Sequence, residues 1–458
     1  MITFPLRQLC LGVKHSALAL ALFTSNLSLA DSTAIINARL YTATTADVSV
    51  GSVLFEDGII TEVSDQPLTA DHVIDAEGKI VTPGFIGSLN HLGLLEVNAV
   101  SESDDSTVEE GDLSFSPVTA FNPESSAIPL ARIGGVTRNI VTPGAGTKAF
   151  AGVAGNVDLT GDLTLPSSAA SAAVVYLWGD QESSRARRLG KIRAALQDRR
   201  DNVAKSEADN ASEAETAKKA TEKEATQNTD NESNSQAGAD KQPETKTEDA
   251  HSVVESVVER HLDELLAGTL PLLAFCDRPA DILQLLALKE EFGLKLIIAG
   301  GDGAVAVKEQ LAEAQVAVIL DALNDLPKSF DNLHASLNNA ATLHQAGVTV
   351  ALAVLSDATH ALYQLRFGAG NAIANGLPKD AALAAISQVP AQLFGIQAGS
   401  IEKGQSADLV LWENDPFDYT GKASTMWING EEQSLETRAD KLRDRYTQPS
   451  KLPPAYVK

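Results

Sequence analysis

The chain has 458 residues, and its 36 Lys and Arg residues face 61 Asp and Glu residues, which gives a formal net charge of −25. Such acidity argues against a nucleic acid or an anionic membrane surface as a partner, because both carry the same sign of charge. Two cysteines are too few for a disulfide-stabilised scaffold, so stability must come from a conventional core of one large domain or two.

The first 30 residues are typical of a secretory signal peptide. Arg7 and Lys14 precede a short apolar run at residues 17–23, and small residues follow at Ser28 and Ala30. We therefore expect cleavage near Ala30 and export to the periplasm or the medium. The apolar run is too short for a stable membrane span, so no span is expected.

Residues 31–80 are rich in short strands and glycine-containing turns, which predicts a small antiparallel sheet. The same texture returns in residues 396–435, before a C-terminal tail at 436–458. Both chain ends are therefore predicted to form β-structure of one kind.

Between these parts, residues 81–395 alternate apolar strands with amphipathic helices, which is the pattern of an α/β barrel. Seven barrel strands are predicted, at residues 85–89, 136–141, 174–178, 270–275, 295–299, 316–320 and 348–354. An eighth is not evident, and residues 152–159 are interpreted as a strand of an insertion.

Residues 204–252 contain no Val, Ile, Leu, Met, Cys or aromatic residue. A segment of this composition buries too little apolar surface to offset the entropy of ordering. We predict a disordered or loosely helical low-complexity insertion.

Three stretches together resemble the amidohydrolase superfamily, and within it the imidazolonepropionase-like branch. They are residues 81–94, residues 134–144, and the closing block 396–430, in which Ala407-Asp408-Leu409-Val410 follows the family pattern. The resemblance implies a distorted TIM barrel beside a composite β-sandwich built from both chain ends. That implication agrees with the two β-rich textures.

The first barrel strand of the relatives carries two histidines with one residue between them. Alternate residues of a strand face the same side, so both histidines can hold one cation. In this chain Leu89 replaces the first histidine, His91 keeps the second, and Gly87 replaces an aspartate. Leucine offers no lone pair to a metal. We therefore expect at most one divalent metal, with zinc as the first choice, or none.

The resemblance implies a catalytic aspartate after the last strand, which corresponds to Asp357; a helix N-cap is the alternative role for this residue. Phe275 stands where the relatives have a further histidine, and no lysine is found at a strand end.

His72 is expected in the sandwich, and His261, His334 and His344 are expected in helices. The predicted pocket is lined by Leu89, Asn90, Phe275, Cys276, Asp277, Gly301, Asp302 and His360.

Two hypotheses follow. The first is an exported hydrolase of a carbon-nitrogen bond in a small non-peptide or peptide-like substrate, with at most one metal held by His91 and Asp357. The second is a non-catalytic homologue that binds a ligand or pairs with an active relative. A homo-oligomer is compatible with both.

Overall fold

The computed structural model describes residues 32–44, 49–96, 100, 103–108, 111–146, 148–163, 170–177, 184–224, 250–355 and 359–447. The predicted signal peptide lies outside these residues. Within them, no helix combines the length and the apolar character needed to cross a membrane.

The strands are β1 (Ser32–Leu40), β2 (Ser49–Glu56), β3 (Ile59–Ser64), β4 (His72–Asp75), β5 (Ile80–Pro83), β6 (Phe85–Asn90), β7 (Val136–Val141), β8 (Gly152–Asp158), β9 (Ala170–Tyr176), β10 (Leu272–Cys276), β11 (Leu296–Gly300), β12 (Ala317–Asp321), β13 (Val350–Ala353), β14 (Leu409–Trp412), β15 (Ala423–Ile428) and β16 (Glu431–Glu432).

The α-helices are α1 (Ile128–Ile133), α2 (Arg185–Glu224), α3 (Ala250–Leu266), α4 (Pro279–Phe292), α5 (Lys308–Glu313), α6 (Asn339–Gln345), α7 (Leu365–Ala374), α8 (Lys379–Ala385), α9 (Gln388–Phe394) and α10 (Arg438–Thr447). Short 3-10 turns lie at Pro117–Ala120, Asp302–Val307, Phe330–Asn332 and Thr359–Gln364.

The two ends of the chain combine in one sheet, which agrees with the predicted composite domain. Its strand order is β16-β15-β14-β5-β1-β2-β3, and β4 pairs with β1. The predicted boundary at residue 80 is wrong by three residues, because β5 pairs antiparallel with β14 from Ile80 opposite Trp412 to Pro83 opposite Leu409. These apolar strands bury each other, so the sandwich domain extends to Pro83 and the barrel begins at Phe85.

The second sheet is a nearly closed barrel of eight strands in the order β13-β12-β11-β10-β9-β8-β7-β6. The eighth strand is β8, so the interpretation of residues 152–159 as a strand of an insertion is wrong. It pairs antiparallel with both β7 and β9, while the other neighbouring pairs are parallel. No described helix separates β7, β8 and β9, and without a crossover helix successive strands can pair antiparallel.

Apolar side chains fill the barrel interior. They include Val174, Leu273, Ile297, Ile319 and Ala351, which belong to one buried cluster. Phe394, at the end of α9, joins this cluster. The barrel is therefore a packed core rather than a pore, and any ligand must be accommodated at one of its two ends.

A buried ionic network joins the barrel to the sandwich. Arg138 of β7 donates to Asp408 through Nε at 2.6 Å and through Nη2 at 3.3 Å, and the Asp408 side chain is fully buried. Asp408 Oδ1 also accepts hydrogen bonds from the Ser406 hydroxyl and from the backbone N–H of Asn429, both at 2.8 Å. The aspartate of the closing sequence block thus fixes the relative position of the two sheets.

The low-complexity segment begins as helix. α2 continues to Glu224 and α3 begins at Ala250, so residues 204–224 follow the helical alternative of the prediction and not the disordered one. Alanine, glutamate and lysine are abundant there and are strong helix formers, which allows a helix without an apolar face. Residues 225–249 lie outside the described part of the chain.

Candidate functional site: the barrel mouth

A cavity of about 610 Å³ opens at the C-terminal ends of the barrel strands, and we call it the mouth cavity. Its lining comes from β6 and the following residue, from β9 to β12, and from the loops after β7, β10, β11, β12 and β13. The lining residues are Leu89, Asn90, His91, Thr142, Gly144, Ala145, Tyr176, Phe275, Cys276, Asp277, Ala299, Gly300, Asp302, Asp321, Asn324, Lys328, Ser329, Asp331, Asn332 and Leu355.

Leu89 enters the cavity through an irregularity in β6. The register between β6 and β7 shifts between Ser88 and Asn90, and Leu89 has a φ of 62°, which is rare for a leucine. Its side chain packs in the barrel-interior cluster, whereas a Cβ at Gly87 would meet Asn139 Oδ1 and Leu362, which belongs to a different cluster. Regular alternation along this strand, which we assumed in the sequence, is therefore wrong at the bulge, although Leu89 and His91 both line the mouth.

The floor of the cavity is formed by apolar and aromatic side chains. Leu89, Tyr176, Phe275 and Ala299 are buried members of one cluster, and Leu355 packs against it. The rings of Tyr176 and Phe275 stack with their centroids 4.4 Å apart, and the Tyr176 hydroxyl donates to the Pro143 carbonyl oxygen at 2.7 Å. Such a floor favours the flat or aliphatic part of a ligand.

Two asparagines brace the wall next to His91. The side-chain amides of Asn90 and Asn139 exchange two hydrogen bonds of 2.9 Å, and the backbone N–H of Leu92 donates to Asn90 Oδ1 at 3.0 Å. Asn90 is thus held across β6 and β7. The residue that follows it, His91, is partly exposed at the cavity edge.

Asp277 and Asp302 form an acidic wall opposite β6. The backbone N–H of Asp302 donates to Asp277 Oδ1 at 3.3 Å, and Asn332 Nδ2 donates to Asp302 Oδ2 at 2.8 Å. Gly300 permits this approach, because a Cβ there would lie 2.7 Å from Asp277 Oδ1 and its φ is +83°. The two carboxylates therefore share one side of the cavity.

Burial is the main reason why both carboxyls hold their protons more tightly than usual. It raises the pKa of Asp302 to about 6, and the nearby charges of Asp277 and Asp321 act in the same direction, while Asn332 and Lys328 oppose them. The pKa of Asp277 is also raised, first by burial and then by the charge of Asp331. Asp302 can consequently change its protonation state close to neutral pH.

Further charges surround this wall. Asp321 ends β12, and its Oδ1 accepts the backbone N–H of Leu323 at 3.0 Å. Asp331 forms an ion pair with Arg185. Among the described lining residues, Lys328 is the one Lys or Arg side chain, against four aspartates. The mouth cavity is therefore predominantly negative.

Most of the predicted pocket residues come together in this cavity: Leu89, Asn90, His91, Phe275, Cys276, Asp277 and Asp302 all line it. Gly301 lies directly behind Gly300 and is not part of the lining. His360 is exposed on the 3-10 turn Thr359–Gln364 and does not line the cavity either. Asp357 lies outside the described residues, so its catalytic role stays a prediction.

Among the other histidines, His72 lies in β4, and His261 and His344 lie in helices, as predicted. His334 was predicted to be helical and instead lies in a turn before α6. His334 belongs to the loop after β12, and the amino-acid composition of this loop does not indicate its irregular path.

The side chains described here do not fit a conventional metal centre. Leu89 and Phe275 have side chains without metal-binding atoms at the positions where the resemblance implies histidines. Burial raises the pKa of the Cys276 thiol well above its usual range, which opposes ligation of a metal by the thiolate. Within the described ranges, no three His, Cys, Asp or Glu side chains converge on a point that could hold a metal ion.

Several lining residues were missed in the sequence. Tyr176 and Asp321 end barrel strands, so inspection of the last residue of each strand could have found them. Asn324, Lys328, Asp331 and Asn332 belong to the loop after β12, and nothing in their local sequence indicates that this loop folds over the mouth. Only the tertiary structure places them there.

Known proteins resemble this chain in sequence over part of its length and in structure over most of it. Residues 288–433, from α4 to the end of the sandwich, match the family model "Amidohydrolase family". A segment of 60 residues is 38% identical to Amidohydrolase tasK of Hapsidospora irregularis, and it covers 13% of this chain and 6% of that protein.

Two solved structures extend the likeness along the chain. An amidohydrolase from Thermotoga maritima MSB8 superposes on 87% of this chain and 99% of its own, with a TM-score of 0.70 at 22% identity. A prolidase complexed with N-methylphosphonate-L-proline covers 88% of this chain and 99% of its own, with a TM-score of 0.51 at 16% identity. The chain therefore has the fold of these amidohydrolase structures, and residues 288–433 resemble the amidohydrolase family in sequence.

Proposed function

We propose that this protein binds a small molecule in the mouth cavity and that it does so without the conventional metal centre of its superfamily. One observation carries the proposal: the barrel-facing positions of β6, β9, β10 and β11 at the mouth hold Leu89, Tyr176, Phe275 and Ala299, which pack together as one apolar floor. Such a floor, with polar groups on one wall, is the usual construction of a ligand site.

Hydrolysis of a carbon-nitrogen bond, with at most one metal, is the second candidate. It is favoured by Asp302, whose pKa of about 6 allows a carboxyl to take up and release a proton near neutral pH, in the same cavity as His91. On this hypothesis His91 and Asp357 would hold the metal, and the substrate would be a small amide of the non-peptide or peptide-like kind. The imidazolonepropionase-like branch is part of this proposal.

Metal content separates the two candidates. Elemental mass spectrometry is applied to the purified mature protein, to His91→Ala, and to the double variant Leu89→His with Phe275→His. Under the first proposal, the wild-type protein and His91→Ala contain equally little zinc, and the double variant gains zinc because it regains two imidazoles at the mouth. Stoichiometric metal in the wild type that disappears in His91→Ala would contradict the first proposal and support the second candidate in its metal-dependent form.

Export is a further proposal, supported by the basic start, the apolar run and the small residues of positions 1–30. Mass spectrometry of the protein from the periplasmic or secreted fraction should give a chain that begins near Asp31. A chain that begins at Met1 would contradict it. Pairing with a second copy or with a related amidohydrolase also stays a prediction.

A further inference from the structure

A second, larger cavity lies at the opposite end of the barrel. It measures about 1090 Å³ and is formed by the N-terminal ends of β9 to β13, by residues 392–397 at the end of α9, and by the sandwich residues Ile59, Ser406 and Asn429. We call it the base cavity. Clefts between two packed units are frequent ligand sites, whereas the chemistry of such barrels lies at the other end.

The charges of the base cavity are unusual for so acidic a chain. Its described lining contains Arg138, Lys289 and Lys295 and includes no Asp or Glu. Arg138 is neutralised by the buried carboxylate of Asp408. Neither half-buried Lys289 nor exposed Lys295 has an ion-pair partner within 4.0 Å among the described residues, so both ammonium groups are available to a ligand.

A buried polar atom in the same cavity also lacks a partner. Asn156 of β8 lines the base cavity, and its Oδ1 is buried without a hydrogen-bond partner in the described structure. Buried polar atoms are nearly always hydrogen-bonded, so an orphaned one indicates a missing partner. Because the amide can turn over, Asn156 can offer either its carbonyl oxygen or its N–H groups to that partner.

The rest of the lining suits the body of a small molecule. Leu294, Leu393 and Ile396 supply apolar surface, and the side chains of Ser171, Gln392 and Gln397 supply hydrogen-bonding groups. The interior cluster with Phe394 separates this cavity from the mouth. A ligand here would therefore bind independently of one at the mouth.

We propose that the base cavity is a binding site for a small organic anion, a carboxylate or a phosphate, held by Lys289, Lys295 and Asn156 between the barrel and the sandwich. The inference does not depend on the function proposed for the mouth. Because Ile59, Ser406 and Asn429 of the sandwich line the same cavity, a ligand that also contacts them stabilises the association of the two units, by a free energy that grows with the logarithm of the ratio of its concentration to its dissociation constant.

Isothermal titration calorimetry of the full mature protein tests this proposal with phenyl phosphate, benzoate and inorganic phosphate as anions and benzylamine as a cation of similar shape. We expect the aromatic anions to bind and benzylamine not to bind at this site. The double variant Lys289→Gln with Lys295→Gln should weaken the anions about tenfold or more, because charge-assisted contacts are lost.

The double variant Lys422→Gln with Lys441→Gln is the matched control, since it removes the same charge from two exposed lysines elsewhere. It should bind the anions as the wild type does. Hydrogen exchange should show ligand-dependent protection at residues 392–397, and Asp302→Asn at the mouth should leave anion affinity unchanged. Absence of anion binding at millimolar concentration, or equal weakening in both lysine pairs, overturns the proposal.

Discussion

The two ends of the barrel differ in charge although they belong to the same strands. Of the described residues, four aspartates and one lysine line the cavity at the mouth, and an arginine and two lysines, with no carboxylate, line the cavity at the base. A net charge of −25 describes neither end. The contrast shows that the field inside a cleft depends on the few side chains that line it and not on the charge of the whole chain.

The two ends of the barrel also differ in how their charged side chains are paired. At the base, Arg138 and Asp408 form a buried pair that is completed by Ser406 and Asn429. At the mouth, Asp277 and Asp302 face each other, and both have raised pKa values. We therefore expect changes at the base to affect stability strongly and changes at the mouth to affect its pH dependence.

The largest expected effect comes from Asp408→Ala. It leaves the guanidinium of Arg138, whose side chain is 12% exposed, without its partner. Removing one member of a buried pair typically costs about 3–5 kcal/mol, and we expect a loss of that order in the free energy of unfolding, measured by urea denaturation. Glu413→Ala, which removes an exposed partner of Lys422, should cost less than about 1 kcal/mol. Equal losses would mean that the Arg138–Asp408 pair has no special role.

A smaller effect is expected from Asp302→Asn, and it should depend on pH. Because the folded state raises the pKa of Asp302 from 3.8 to about 6, the folded protein binds this proton more tightly than the unfolded chain. Stability from this group is complete below pH 4 and is lost as the pH rises through 6.

The asparagine variant carries no such charge, so it should be more stable than the wild type at pH 7.5, by about 1 kcal/mol after allowance for solvent screening. At pH 4 the two proteins should be nearly equal. Thermal denaturation at both pH values measures the difference, with the exposed Asp198→Asn on α2 as the control. A variant advantage that is larger at pH 4 would contradict the assignment.

The smallest effect is expected from Lys328→Gln. Lys328 is exposed, and its charge lowers the pKa of Asp302. Its removal should therefore move the titration midpoint of Asp302 upward by roughly a few tenths of a unit, as for other exposed charge pairs. The midpoint can be followed by NMR of the labelled carboxyl. A downward shift would show that Lys328 does not face the acidic wall.

The strand patterns in the sequence predicted much of the fold. The errors concern strands whose position depends on their pairing partners. Continuous apolar runs gave seven of the eight barrel strands, because buried parallel strands need apolar residues on both faces. β8 was misinterpreted since its glycines and its missing crossover helix do not follow the parallel pattern. The boundary at Pro83 was missed because β5 and β6 are adjacent apolar strands, and only their partners assign them to different sheets.

For the site, the sequence by itself determined that Leu89 and Phe275 stand at positions where the resemblance implies histidines, and the loss of a metal site that would follow from this stays a prediction. It also determined Asp277 and Asp302 as residues that follow strand ends. The tertiary structure alone decided that Leu89 packs into the floor at the bulge, that the loop after β12 helps to line the mouth beside the acidic wall, and that Lys289, Lys295 and Asn156 line one cavity at the base. These residues lie far apart along the chain, and a local pattern carries information about neighbours within a strand or a helix but not about which loops and strand ends the closed sheet brings together.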